Sequence, residues 1–318
     1  MSLFQRVLRF LFLLAGFVAG LLTTVAAIFA QRLIKPPRQR LWATPADLGL
    51  DYEDVQFPAQ DGVRLSGWFI PGAAATQRKG ATIVLVHGWP WNRLGEAAVD
   101  PISTFTGATP VDLLRLAYAL HQDGFHVFSF DLRNHGESAA AAPMTFGQME
   151  ANDLLGALAY LNGRSDVARN RMGVIGFSMG ANTVLYTLPQ TELVQAAIAV
   201  QPTTPSVFAN RLARYLLGSF GGPVMRLTET IYQAAGGTRL NAYQPAFAAA
   251  GAGETPVLYV QGNGDEWGSM EDVARIAAVT PEARGPLFVE ALHRFGGYQY
   301  LVDNPKIATS FFEQHLPE

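Results

Sequence analysis

The sequence predicts an α/β fold, a mostly parallel sheet of about eight strands covered by helices on both faces. Three observations carry this reading. Short runs rich in apolar and β-branched residues recur along the chain, as at residues 81–86, and read as strands buried on both faces. In the second part of the chain they alternate with segments of helical spacing, the pattern of strand–helix–strand units. The 318 residues, 49% hydrophobic and 15% charged, suffice for one large domain with an appendage.

The elements follow in order. Residues 52–57 and 63–70 read as strands joined by the turn Ala59-Gln60-Asp61-Gly62, an antiparallel start to the sheet. The buried strand 81–86 comes next. A helix over 111–122 has Pro110 at its first position and Gly124 just past its end. Residues 125–130 form a strand, and 146–161 a helix with Met149, Leu154, Leu155, Leu158 and Leu161 on one face. Strands follow at 172–175, 196–200, 257–261 and 287–290, with helices after Ala181, near 270–278 and around 307–315. The stretch 203–255 is far longer than an ordinary crossover. Its part 206–220 places Phe208, Leu212, Tyr215 and Leu216 at helical spacing beside Arg211 and Arg214. Ligands of open α/β sheets bind at the carboxyl ends of the strands, so a helical lid over that edge, at about 203–250, is the expected use. The alternative is a surface insertion without function.

Residues 11–30 carry no charge, and as a helix they would span about 30 Å, the thickness of a hydrocarbon core. Arg6 and Arg9 precede this run; Arg32, Lys35, Arg38 and Arg40 follow it, around Pro36-Pro37. The reading is a single membrane anchor with its basic linker, residues 1–40, ahead of a catalytic domain at 41–318. A cleaved signal peptide, with Val25-Ala26-Ala27 at its end, is the alternative, although the apolar run exceeds the usual length. Orientation stays open, because four basic residues after the run oppose two and the α-amine before it. Gly16 and Gly20 form a G-x-x-x-G through which two anchors can pack as a weak homodimer. Residues 1–40 hold six basic and no acidic side chains, so 41–318 is left with a net charge of −9. That balance argues against nucleic-acid binding. There is no cysteine, which removes disulfides and a thiol nucleophile, and no stretch has metal-site spacing.

The chemistry is concentrated in Gly176-Phe177-Ser178-Met179-Gly180. It stands where a strand hands over to a helix, so Ser178 is expected on a sharp turn with its hydroxyl at the end of the sheet. Acyl transfer also needs a base, an acid to orient it and two oxyanion donors. His87-Gly88-Trp89-Pro90 directly follows the strand 81–86, so the backbone N–H of Trp89 is one candidate donor. The N–H of Met179, at the start of the elbow helix, is the other. Asp265, in Gly262-Asn263-Gly264-Asp265 after the strand 257–261, is the candidate acid, with Glu266 as its neighbour and competitor. Of six histidines, only His293 lies after the acid at the carboxyl end of the final strand. His121, His126 and His315 sit at element ends, His135 in a turn, and His87 is read as shaping the loop around Gly88. The order Ser178, Asp265, His293 is the order such a sheet requires.

With Asp61-Gly62-Val63-Arg64-Leu65-Ser66-Gly67-Trp68 and Asp131-Leu132-Arg133-Asn134-His135-Gly136-Glu137-Ser138, these landmarks make residues 50–318 resemble the α/β-hydrolase superfamily. The likeness is to its serine-aminopeptidase-like and esterase/lipase-like branch, and the N-terminus resembles that of membrane-tethered members. Two departures stand out: the loop 91–109 is long, and His293 is followed by Arg294 and Phe295 where a small residue is usual. The resemblance implies a serine hydrolase with the triad Ser178, His293, Asp265 and the donors Trp89 and Met179, needing neither cofactor nor metal. A carboxylester of small or lipid-like acyl character is the expected substrate. A peptidase or amidase, and a membrane-tethered binding module of the same fold, are the alternatives.

Overall fold

The structure, a computed structural model, describes residues 2–74, 78–99 and 107–317. Eight strands form one sheet in the order β1-β2-β6-β3-β7-β8-β9-β10. They are β1 (Glu53–Pro58), β2 (Arg64–Ile70), β3 (Thr82–Val86), β6 (His126–Phe130), β7 (Met172–Phe177), β8 (Val194–Val200), β9 (Val257–Gly262) and β10 (Ala283–Val289). β1 and β2 run antiparallel to their neighbours, and the rest of the sheet, from β6 to β10, is parallel. The central strands β3, β6 and β7 are buried along their whole length; β3 and β7 are almost wholly apolar, while β6 buries His126 and Ser129 among its apolar residues.

Several boundaries differ from the sequence reading, each for a local reason. Val111–Asp112 does not begin a helix; it forms a short strand, β5, paired with β4 (Gly95–Glu96). The helix α2 starts at Leu113, where the Asp112 carboxylate accepts the Arg115 N–H at 3.1 Å. The helix expected from residue 146 starts five residues later, as α3 (Ala151–Asn162). Ahead of it the buried Glu150 carboxylate accepts from the Thr145 and Gly147 N–H groups and the Thr145 hydroxyl, closing a turn instead. Met149, placed on the apolar face by periodicity, is therefore exposed, while Leu154, Leu155, Leu158 and Leu161 are buried. A helix that the sequence reading lacked, α9 (Arg294–Asp303), follows β10 directly. Part of the long loop 91–109 lies outside the described residues.

The elbow helix is α4 (Met179–Thr187); α8 (Met270–Val279) and α10 (Lys306–His315) match the expected helices. The long stretch between β8 and β9 folds as α5 (Pro205–Leu217), α6 (Gly221–Ala234) and the short α7 (Pro245–Ala249).

The N-terminal helix α1 runs unbroken over Leu3–Ile34, longer than the charge-free run. Its first two-thirds is exposed and apolar. From Leu22 a stripe of Leu22, Val25, Ala26, Phe29, Ala30 and Leu33 turns inward, and Ala26, Ala30 and Leu33 are buried. This is the spacing of a helix packed on one face, and its partner is α6. The Thr228 hydroxyl donates to the Ala26 carbonyl at 3.2 Å. The basic segment after α1 also lies against the domain. The Arg38 guanidinium donates to the carbonyls of His135, Gly136 and Ser138, and Gln39 is buried with its amide on Glu96.

Candidate active site

Ser178 sits at the carboxyl end of β7 with φ +52° and ψ −113°, a conformation that costs a non-glycine residue about 1–3 kcal/mol. Close packing holds it there. A Cβ at Gly176 would lie 2.4 Å from the Gly180 carbonyl oxygen, and one at Gly180 would lie 2.2 Å from that of Val86. Strand, turn and helix can approach this closely only because both positions are glycine. The Ser178 N–H donates to Val200 and its carbonyl accepts from Asn182, so the turn is fixed at both ends.

The loop after β3 lies against the elbow: a Cβ on Gly88 would be 3.1 Å from the Phe177 carbonyl oxygen and 3.3 Å from the Ser178 Cβ. His87, fully buried, shapes this loop as the sequence suggested. Its Nε2 accepts the Leu132 N–H at 3.0 Å, which puts the proton on Nδ1, facing the Gly88 carbonyl at 2.7 Å. Burial lowers its pKa, so it stays neutral. The next turn is fixed by Arg93, whose backbone N–H and guanidinium both donate to the buried Asp131 carboxylate. Among the described residues, neither the Trp89 nor the Met179 amide donates to a protein acceptor. Met179 is the first residue of α4, so its N–H has no partner within the helix.

Asp265 is buried in the loop after β9, whereas the adjacent Glu266 is exposed. Its Oδ1 accepts from the backbone of Trp267 at 3.1 Å and Gly268 at 2.8 Å. Its Oδ2 takes the side chains of Arg294 at 2.6 Å, Gln261 at 3.2 Å and Gln201 at 3.4 Å. Arg294 reaches the nucleophile as well, with its other terminal nitrogen donating to Ser178 Oγ at 2.9 Å. The structure thus links Ser178 and Asp265 through Arg294, not through His293. His293 caps α9 from outside this bridge, its Nδ1 accepting the Gly296 N–H at 3.2 Å. The expected Ser178–His293–Asp265 chain of hydrogen bonds is therefore not formed. The cause is the start of α9 at Arg294, which turns that residue inward and leaves His293 at the cap.

In the sequence Arg294 stands out only as an unusual successor to His293, and nothing there signals its burial. Burial works against its charge, but the Asp265 carboxylate and Tyr298 hold its pKa above the ordinary arginine value. Gln201 binds both partners, through Asp265 Oδ2 and the Arg294 carbonyl. The Tyr298 hydroxyl is buried beside Ser178 and Gln201 without a hydrogen bond of normal geometry, and burial raises its pKa.

Ser178 opens into a narrow cavity of about 70 Å³. Its walls are mainly apolar and aromatic, with Trp89 and Trp91 from the loop after β3, Phe208 and Leu212 from α5, Trp267 from the loop after β9 and Phe295 from the first turn of α9. Phe29 and Arg32 of α1 also line it. Among the described residues no three His, Asp or Glu side chains gather as a metal site.

Comparison with known proteins agrees with this fold. The family model described as "Alpha/beta hydrolase family" matches residues 83–317. The protein YfhR of Salmonella typhi is 33% identical over 143 residues, 45% of this chain and 41% of YfhR, so the chain matches less than half of that relative. The alpha/beta hydrolase domain-containing protein WAV2 of Arabidopsis thaliana is 25% identical over 95% of this chain and 92% of its own. Among solved structures, an esterase of Pyrococcus furiosus superposes with a TM-score of 0.65 at 21% identity, covering 90% of this chain and 99% of the esterase. An acylaminoacyl peptidase of Pyrococcus horikoshii gives 0.58 at 18% identity, over 84% of this chain and 42% of the peptidase. These likenesses concern the fold. With a family match over most of its length and the sheet order above, the chain belongs to the alpha/beta hydrolase family.

Proposed function

We propose that the protein is a membrane-anchored serine hydrolase that cleaves an acyl ester, with Ser178 as nucleophile. The observation that carries this is Ser178 itself: a strained elbow serine lining an apolar cavity that Trp89 and Met179, whose backbone amides have no protein acceptor among the described residues, also line. A tetrahedral oxyanion formed on Ser178 would fall to the Met179 and Trp89 N–H groups, each worth about 3–4 kcal/mol in the transition state.

Arginine cannot serve as the base, because its guanidinium holds its proton at any working pH. The proposed base is His293, with Asp265 orienting it. For this, the turn between Ala291 and Phe295 must shift so that the imidazole replaces the guanidinium between Ser178 and Asp265. The Ser178 proton then passes to His293 as Oγ bonds to the acyl carbon. It leaves on the alcohol oxygen as the ester bond breaks, and water repeats the sequence to release the acid. In this reading α5 and α6 form the lid, α1 is the anchor, and the open Gly16–Gly20 face of α1 is available for a second copy. The packing of Ala26 and Ala30 on α6 supports a retained α1 over cleavage near Ala27.

The Arg294–Ser178 contact favours a second reading, a tethered binding module whose serine is occupied. A fluorophosphonate probe separates the two. Labelling of the wild type, lost in Ser178→Ala and in His293→Ala, supports the hydrolase; no labelling of the wild type at all would overturn it. Graded p-nitrophenyl esters beside aminoacyl-anilides distinguish an esterase from a peptidase.

A further inference from the structure

The cavity beside Ser178 does not end at α5. A second, almost wholly apolar cavity of about 30 Å³ continues from it between α1, α5 and α6. The two share Phe29, Arg32, Trp89, Phe146, Phe208 and Leu212, so Arg32 stands at the junction between them, and the second adds Ala213 and Met225 among others. One wall of this passage is the helix read above as the anchor.

The direction of α6 places the far end of the passage. Thr228 binds Ala26 of α1, while Tyr232, one turn later, donates to the Met144 carbonyl, and the Met144 N–H donates to Leu33. The two helices therefore run parallel, and Gly221, seven residues before Thr228, lies about 10 Å nearer the N-terminal end of α1. That end is the charge-free run, of which residues 26–30 belong both to the apolar stretch and to the contact with α6. The tip joining α5 to α6 thus stands beside the apolar helix. Residues 215–225 of the tip carry no charge, Phe220 is 53% exposed, and Arg214 and Arg226 flank the stretch. An uncharged, aromatic-bearing tip between basic residues suits the boundary of a bilayer with anionic headgroups.

We propose that the α5–α6 tip enters the bilayer beside α1, and that the passage between α1, α5 and α6 takes the acyl chain of a membrane-resident substrate directly from the lipid. Phe29 and Met225 then contact the chain, and α1 is part of the substrate site as well as a tether. This rests on the hydrolase reading for what happens at Ser178, but the lipid contacts do not.

The test uses the full chain in nanodiscs of phosphatidylcholine and phosphatidylglycerol that contain a phosphatidylcholine with a diazirine near the end of one acyl chain. Crosslinks mapped by mass spectrometry are expected on residues 215–225 and on Phe29 or Met225. Ala213→Trp, which fills the passage, should reduce the Phe29 and Met225 crosslinks at least fivefold and leave those on the tip. In parallel, Ser178 labelling by dodecyl and ethyl fluorophosphonates is compared, and Phe220→Glu should lower the dodecyl-to-ethyl ratio at least fivefold. Crosslinks confined to residues 3–24 would overturn the proposal, as would a dodecyl-to-ethyl ratio unmoved by both substitutions. Lipid crosslinks in the passage with no labelling of Ser178 by either probe would instead sustain the lipid site and overturn the hydrolase reading.

Discussion

Replacing Asp265 by Asn is a sharp probe of the site, because the change is nearly isosteric and its effects can be traced donor by donor. The amide oxygen can still accept from Trp267 and Gly268, so that half of the loop survives. The other half faces Arg294 at 2.6 Å, where an NH₂ group would oppose an N–H donor. Arg294 is buried, and its other side-chain neighbours, the Ser178 hydroxyl and the rings of Phe208 and Tyr298, carry no formal charge to replace the lost carboxylate. Breaking a buried pair in this way costs about 3–5 kcal/mol. A domain of this size loses about 2–4 °C of Tm per kcal/mol, so a fall of about 6–20 °C is expected. Arg294→Met should cost less, because Asp265 keeps four other donors. The double variant Asp265→Asn with Arg294→Met should be more stable than Asp265→Asn alone. Thermal unfolding in detergent at one fixed scan rate measures all three. A fall under about 2 °C for Asp265→Asn, or strictly additive losses in the double variant, would refute the account of a charge held by its partner.

Gly180→Ala should displace the elbow against the Val86 carbonyl and cost about 10²-fold in probe labelling of Ser178, the worth of one misplaced oxyanion donor; unchanged labelling would show that the approach is not required. Glu150→Ala leaves three donors at the start of α3 unpaired and should destabilise by about 3 kcal/mol in urea unfolding. Burial lowers the pKa of His135 to about 3, against about 6.5 in the unfolded chain. Above pH 6.5 the group is neutral in both states and contributes nothing. As the pH falls from 6.5 towards 3 only the unfolded chain takes up the proton, so stability drops by about 1.4 kcal/mol per unit. His135→Gln should flatten this part of the stability profile; an identical slope would place the titration elsewhere.

The sheet was legible in the sequence because its central strands are short, mainly apolar runs bounded by turn signals, too short to read as buried helices. The sharp turn at Ser178 was legible for a related reason: a serine flanked by glycines between a strand and a helix points to the close strand–helix approach found there. What stayed hidden depended on distant contacts. Asp112 and Glu150 set the starts of α2 and α3 through side-chain hydrogen bonds that periodicity does not register. The helix α9 was missed because Gly296-Gly297 weakens its propensity, and its inward face is held by burial of Phe295, Tyr298 and Leu301. Since α9 decides whether residue 293 or 294 faces Ser178, the same omission concealed the Arg294 bridge. The inward stripe on α1 was masked by an apolar background in which buried and exposed positions look alike.

The Arg38 guanidinium, clasping three carbonyls of the turn at 135–138, has a consequence for kinetics. With α1 in a bilayer, a chain pinned so soon after the helix leaves no swivel between helix and catalytic domain. A membrane-anchored hydrolase of the kind proposed would then search a plane and not a volume, meeting substrate by lateral diffusion at one fixed height. Its rate would follow the mole fraction of substrate in the lipid, and diluting the same substrate with inert lipid would slow it even at constant bulk concentration.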